Sequence, residues 1–104
     1  MPLAPTRLLA ATALAAACLA AVPATAGSIE EGKGIYNTYC LICHGPKMMN
    51  TGARAYDLRK FPLDQHQRFV ISVREGKKKM PAWGDVLDDQ QIEHLWAYVK
   101  TRGK

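Results

Sequence analysis

The sequence predicts an all-α domain, and three observations carry that expectation. Three segments repeat apolar residues at helical spacing behind hydroxyl or acidic capping residues. No segment alternates apolar and polar residues with the period of two that marks a strand. The pentapeptide Cys40-Leu41-Ile42-Cys43-His44 sets two thiols three positions apart, a spacing that shares one face only on a helical turn.

Residues 1–26 stand outside that domain. Arg7 supplies a short positive region, Leu8 to Ala21 form an apolar run, and Ala24-Thr25-Ala26 offers the small-residue pattern of a cleavage site. The run is shorter than the roughly 18–20 residues that span a bilayer comfortably. It reads as a secretory signal peptide, so a periplasmic domain over 27–104 is expected, without a transmembrane segment. Cys18 follows Ala15-Ala16-Ala17, and lipid attachment there is the lesser alternative, because the triplet lacks a large apolar residue at its start.

The first helix begins at Ser28-Ile29-Glu30-Glu31, a capping-box pattern with acids where the helix dipole favours them. Ile35, Tyr36 and Tyr39 continue it to about Cys43. Gly32 costs roughly 1 kcal/mol inside a helix, which a close packing contact would explain. Gly45 to Pro62 carries loop signals, with Leu58 and Phe61 as buried anchors and a helical turn near Tyr56–Arg59. So long a loop in a small domain suggests that it covers something. Asp64 is the expected cap of the second helix, which buries Phe69, Val70 and Val73 and stops at Gly76. The last helix starts at Asp88 or Asp89 and spaces Ile92, Leu95, Trp96 and Val99 as one apolar stripe.

Cys-x-x-Cys-His reads as a covalent attachment site for one c-type haem, with His44 carried to the iron as an axial ligand. A redox disulfide is the first rival, but its usual strand-turn-helix setting is missing. A zinc site is the second, and it lacks another ligand pair, since His66 and His94 stand alone as expected surface residues. About 78 residues bury a limited core, and a bound haem would staple it. For the iron's other side, Met80 lies in a separate loop stiffened by Pro81, whereas Met48 and Met49 follow His44 too closely and read as core fillers. An open sixth position and bis-histidine ligation are the alternatives. The 14 basic residues less Arg7 leave 13 against 9 acidic ones, a formal charge of +4. That balance suits an acidic docking partner, while no motif points to nucleic acid. Lys77, Lys78 and Lys79 are the candidate docking charges, with Trp83, Leu58 and Phe69 as candidate pocket lining.

These residues resemble class I c-type cytochromes over essentially all of 27–104. Gly32 and Tyr36 precede Cys40 as a glycine and an aromatic do in that family's N-terminal helix. Leu95-Trp96-Ala97-Tyr98-Val99 is similar to its C-terminal helix, and Gly76 to Trp83 to its methionine loop. The resemblance implies the cytochrome c fold, with N- and C-terminal helices crossing, one haem held by Cys40 and Cys43, His44/Met80 ligation, and one-electron transfer without enzyme activity. The export signal makes the expected redox partners periplasmic, and a monomer is the default for a chain this small and charged. The Arg68–Leu87 run resembles cytochromes serving pyrroloquinoline-quinone (PQQ) alcohol dehydrogenases, with an oxidase or another cytochrome downstream. A five-coordinate haem enzyme or gas sensor, and a fixed subunit of a larger redox complex, are the competing functions. The family's proline before the loop leucine is missing at Tyr56-Asp57-Leu58, so the carbonyl that orients His44 is left open by sequence.

Overall fold

A computed structural model describes residues 27–50 and 55–104; the predicted leader and Cys18 lie outside the described residues. The chain runs through α1 (Ile29–Ile35), a π-turn (Tyr36–Cys40), α2 (Leu41–His44), α3 (His66–Glu75) and α4 (Asp89–Val99). Short 3₁₀ turns at Pro46–Met48 and Leu58–Lys60 shape the segment between α2 and α3. Among the described residues no strand forms, and Lys77 and Met80 make one isolated bridge. The all-α expectation therefore holds.

The helix starting at Ser28 continues to His44, but its hydrogen bonding changes midway. The Leu41 N–H reaches back five residues to the Tyr36 carbonyl, which inserts a π-turn directly before the two cysteines. Ser28 caps the start by accepting from the Glu31 N–H at 3.3 Å. The second half of the expected capping box is replaced. His94 Nδ1 on α4 takes the Ser28 N–H at 2.7 Å, and the Glu31 carboxylate lies 3.2 Å from His94 Nε2. His94 is thus no surface residue: its side chain is 15% exposed and ties the two terminal helices together. His66 does stay exposed, against the Trp96 ring and the Glu93 carboxylate.

α1 lies against α4 with almost nothing between them. A Cβ on Gly32 would stand 1.8 Å from the His94 carbonyl oxygen, so only glycine permits this crossing. Tyr36 packs its ring 5.2 Å from that of Tyr98 one turn further on. Asp88 and Gln91 complete a reciprocal capping box at the start of α4. Ile92, Leu95, Trp96 and Val99 are buried, each contributing about 1.5–3 kcal/mol against exposure. Phe61 and Phe69 close the core against Trp96, with ring centroids 5.9 and 4.9 Å away.

α3 starts one residue later than expected. The Gln65 N–H bonds the Pro62 carbonyl, so that turn consumes Asp64 and leaves Gln65 as the cap, without a side-chain bond. Phe69 and Val73 are buried and Val70 half-buried, as the stripe predicts. Asp57 rather than Tyr56 opens the 3₁₀ turn, accepting from the Arg59 N–H at 3.0 Å. Met48 is fully buried as a filler, whereas Met49 is 48% exposed and fills nothing.

Candidate functional site

The first wall of the site is the segment from the π-turn to α2. Tyr36, Cys40 and His44 follow one another at four-residue spacing and face one cleft. Cys43, next to His44, is exposed and lies outside the lining, so the two thiols are not equally placed. Burial, with help from Cys43, pushes the Cys40 thiol up to about 12. Such burial makes Cys40 a poor thiolate nucleophile.

His44 is oriented from below. Its Nδ1 lies 3.0 Å from the Tyr56 carbonyl oxygen, which can only accept, so Nδ1 carries the proton and Nε2 keeps its lone pair. Burial lowers the His44 pKa below the usual imidazole value, partly offset by that bond. The ring is therefore neutral and presents one nitrogen as a metal ligand. The carbonyl left open by sequence is that of Tyr56. Asp57 fixes it in place by capping the next turn and bonding Arg59 Nε at 3.0 Å.

Behind His44 the chain reverses through Gly45. The Gly45 N–H bonds the Leu41 carbonyl at 2.8 Å, and its own carbonyl accepts from the Met48 N–H at 3.2 Å and the Tyr36 hydroxyl at 2.5 Å. Tyr36 is fully buried and its hydroxyl pKa is raised by burial, so it remains a donor. Sequence reading found Tyr36 as packing and missed this clamp, because the bond depends on where the chain turns back.

The second wall brings Met80. The Lys77 and Met80 backbones bond each other in both directions, at 3.1 and 2.9 Å, leaving Lys78 at φ 54° and all three lysines exposed. Gly76, at φ 79°, lets the Met80 carbonyl come within 2.7 Å of where a Cβ would sit. Leu58, Phe69, Val73, Leu95 and Val99 complete the cleft. Trp83, expected in that lining, is instead packed on Tyr39 at 5.2 Å between centroids.

Aliphatic and aromatic groups make most of this cleft, and no buried side-chain polar atom among the described residues lacks a partner. Beside the Cys40 thiol, the cleft offers an imidazole nitrogen and a thioether sulfur as metal donors, a pair that suits haem iron. Such walls suit the apolar faces of a flat macrocycle by their chemistry. Residues 27–99 match the family model described as cytochrome c oxidase, cbb3-type, subunit III. The chain belongs to this family; it is a small class I c-type cytochrome.

Relatives agree with that placement. A cytochrome c6 from a Synechococcus species is 32% identical over 81 residues, covering 74% of this chain and 72% of its own length. The solved cytochrome c6 of the diatom Phaeodactylum tricornutum superposes with a TM-score of 0.61 at 31% identity, covering 74% of this chain and 95% of that one. The quinohemoprotein alcohol dehydrogenase ADH-IIG of Pseudomonas putida is 32% identical over 77 residues, which are 72% of this chain but 11% of that protein. The cytochrome is an electron carrier rather than an enzyme, and its family is one with covalently bound haem. None of its helices among the described residues is long and apolar enough to cross a membrane.

Proposed function

We propose that this cytochrome shuttles single electrons between periplasmic redox proteins, using one haem attached through Cys40 and Cys43 and ligated by His44 and Met80. One observation carries the reading: His44 and Met80, from separate segments, face the same apolar cleft that Cys40 lines. When bound, the haem supplies a one-electron ferric/ferrous couple. The protein's part is to hold its ligands still. Tyr56 fixes the His44 tautomer, the Lys77–Met80 turn fixes the approach of Met80, and the apolar lining limits water. A thioether ligand stabilises the reduced form and raises the potential relative to two histidines.

Export rests on the leader, with its Arg7, apolar run and Ala24-Thr25-Ala26. The similarity to a segment of a quinohemoprotein alcohol dehydrogenase supports a PQQ-type dehydrogenase as electron donor, with an oxidase or another cytochrome as acceptor. Lys77, Lys78 and Lys79 beside the ligand loop offer the positive docking charge. A monomer suits a domain this small and charged.

The test is optical. Ferric wild type should show the weak red-end absorption of a methionine-ligated haem, and Met80→Ala should lose it. Rapid carbon monoxide binding by the ferrous wild type would favour a five-coordinate enzyme or sensor and overturn the ligation. The family's description as an oxidase subunit, with the dehydrogenase segment, favours one second reading: a fixed subunit of a larger complex. Gel filtration of the native periplasmic fraction separates the two, since a free shuttle elutes at its own small size.

A further inference from the structure

Tyr39 and Trp83 form a contact that the electron-carrier reading does not use. Tyr39 directly precedes Cys40 and Trp83 lies three residues after Met80. Their rings sit 5.2 Å apart at 52°, so one aromatic pair joins the segment carrying the cysteines to the loop carrying the methionine. Both side chains are half-buried against the core.

Trp83 is a fixed post. Its N–H bonds the Val73 carbonyl at 2.9 Å and the next N–H, of Gly84, bonds the Arg74 carbonyl at 3.0 Å, which seats the loop on the C-terminal end of α3. The Trp83 carbonyl accepts from Val86 and Leu87 at 3.0 and 2.8 Å. Pro81 and Ala82 leave little slack between this post and Met80. A side chain held within three residues of a fastened point has few alternative positions, so releasing it becomes less favourable.

We propose that Tyr39 and Trp83 are positioning residues, a clasp that joins the two walls and sets how readily Met80 yields its place to a competing ligand. The inference rests on Met80 being a haem ligand. Loss of an aromatic pair should raise the affinity for an outside ligand roughly two- to tenfold.

The experiment titrates imidazole into the ferric holoprotein and follows loss of the red-end band. Tyr39→Leu should bind imidazole more tightly by that factor, while Tyr39→Phe, which keeps the ring, should match wild type. Trp83→Leu should behave like Tyr39→Leu, and the double variant should add little to either. Tyr39 touches the core only at its edge, so Tyr39→Leu decides the matter even where Trp83→Leu yields no holoprotein. A wild-type affinity in Tyr39→Leu, or additive effects in the double variant, overturns the clasp. A wild type without the red-end band, or a Met80→Ala protein that keeps it, overturns the ligand assignment instead.

Discussion

Gly32 and Gly34 stand two residues apart in the same helix, and alanine at the two positions should have opposite effects. At Gly34 an added Cβ meets nothing within 4 Å. There alanine should stabilise the protein by up to about 1 kcal/mol through helix propensity. At Gly32 the Cβ would lie 1.8 Å from the His94 carbonyl oxygen, 2.6 Å from its carbon and 3.0 Å from Tyr98 Cβ. Two of those three atoms are backbone of α4, so no rotamer change relieves the clash. Restoring ordinary contact requires the helices to part by roughly 1.5 Å, enough to forfeit much of the dispersion energy along the crossing. That places the cost near the top of the overpacking range, about 3 kcal/mol, offset by about 1 kcal/mol of propensity. The net loss of about 2 kcal/mol corresponds to a midpoint roughly 8–16 °C lower in a domain of this size. Thermal unfolding of the ferric holoproteins, followed by far-ultraviolet circular dichroism, measures both variants. A Gly32→Ala protein whose midpoint rises with that of Gly34→Ala would refute the close crossing of α1 and α4.

Three further outcomes follow from the site. Tyr36→Phe keeps the ring against Tyr98 but removes a donor from the Gly45 carbonyl, and should cost about 1 kcal/mol in denaturant unfolding. The bonds from Arg59 hold the Asp57 carboxyl below its ordinary range. A depressed carboxyl contributes stability above its unfolded value and loses it as pH falls through the folded one. Acid titration of the holoprotein should therefore loosen the Leu58–Lys60 turn only below the ordinary carboxylate range, seen as faster exchange of the Arg59 amide. Neutralising Lys77, Lys78 and Lys79 together should slow reduction by the physiological donor at low salt and flatten its salt dependence; stopped-flow rates across ionic strengths check this.

The parts of the molecule legible in sequence are those whose causes are local. The apolar stripe Ile92-Leu95-Trp96-Val99 and the Asp88–Gln91 box encode α4 within a dozen residues, and the structure reproduces both. The glycine at 32 signalled a close contact, although the contact's partner, the His94 carbonyl, is more than sixty positions away. What failed has a common origin in tertiary competition. The Ser28 box gave way because α4 brings His94, a second acceptor, onto the same N–H. The Asp64 cap gave way to the turn that Pro62 initiates. The π-turn has no spacing signature at all, since Tyr36 to Cys40 would read equally well as α-helix. Around it, Tyr36 packs on Tyr98 of α4 and bonds the Gly45 carbonyl while still sharing the cleft lining with Cys40 and His44. The four candidate site residues stand out in sequence as chemistry, because thiol, imidazole and thioether announce themselves by type and spacing. The groups that hold them in place do not, because the Tyr56 carbonyl, the Tyr36 hydroxyl and the Tyr39–Trp83 pair acquire their roles only through the path of the folded chain.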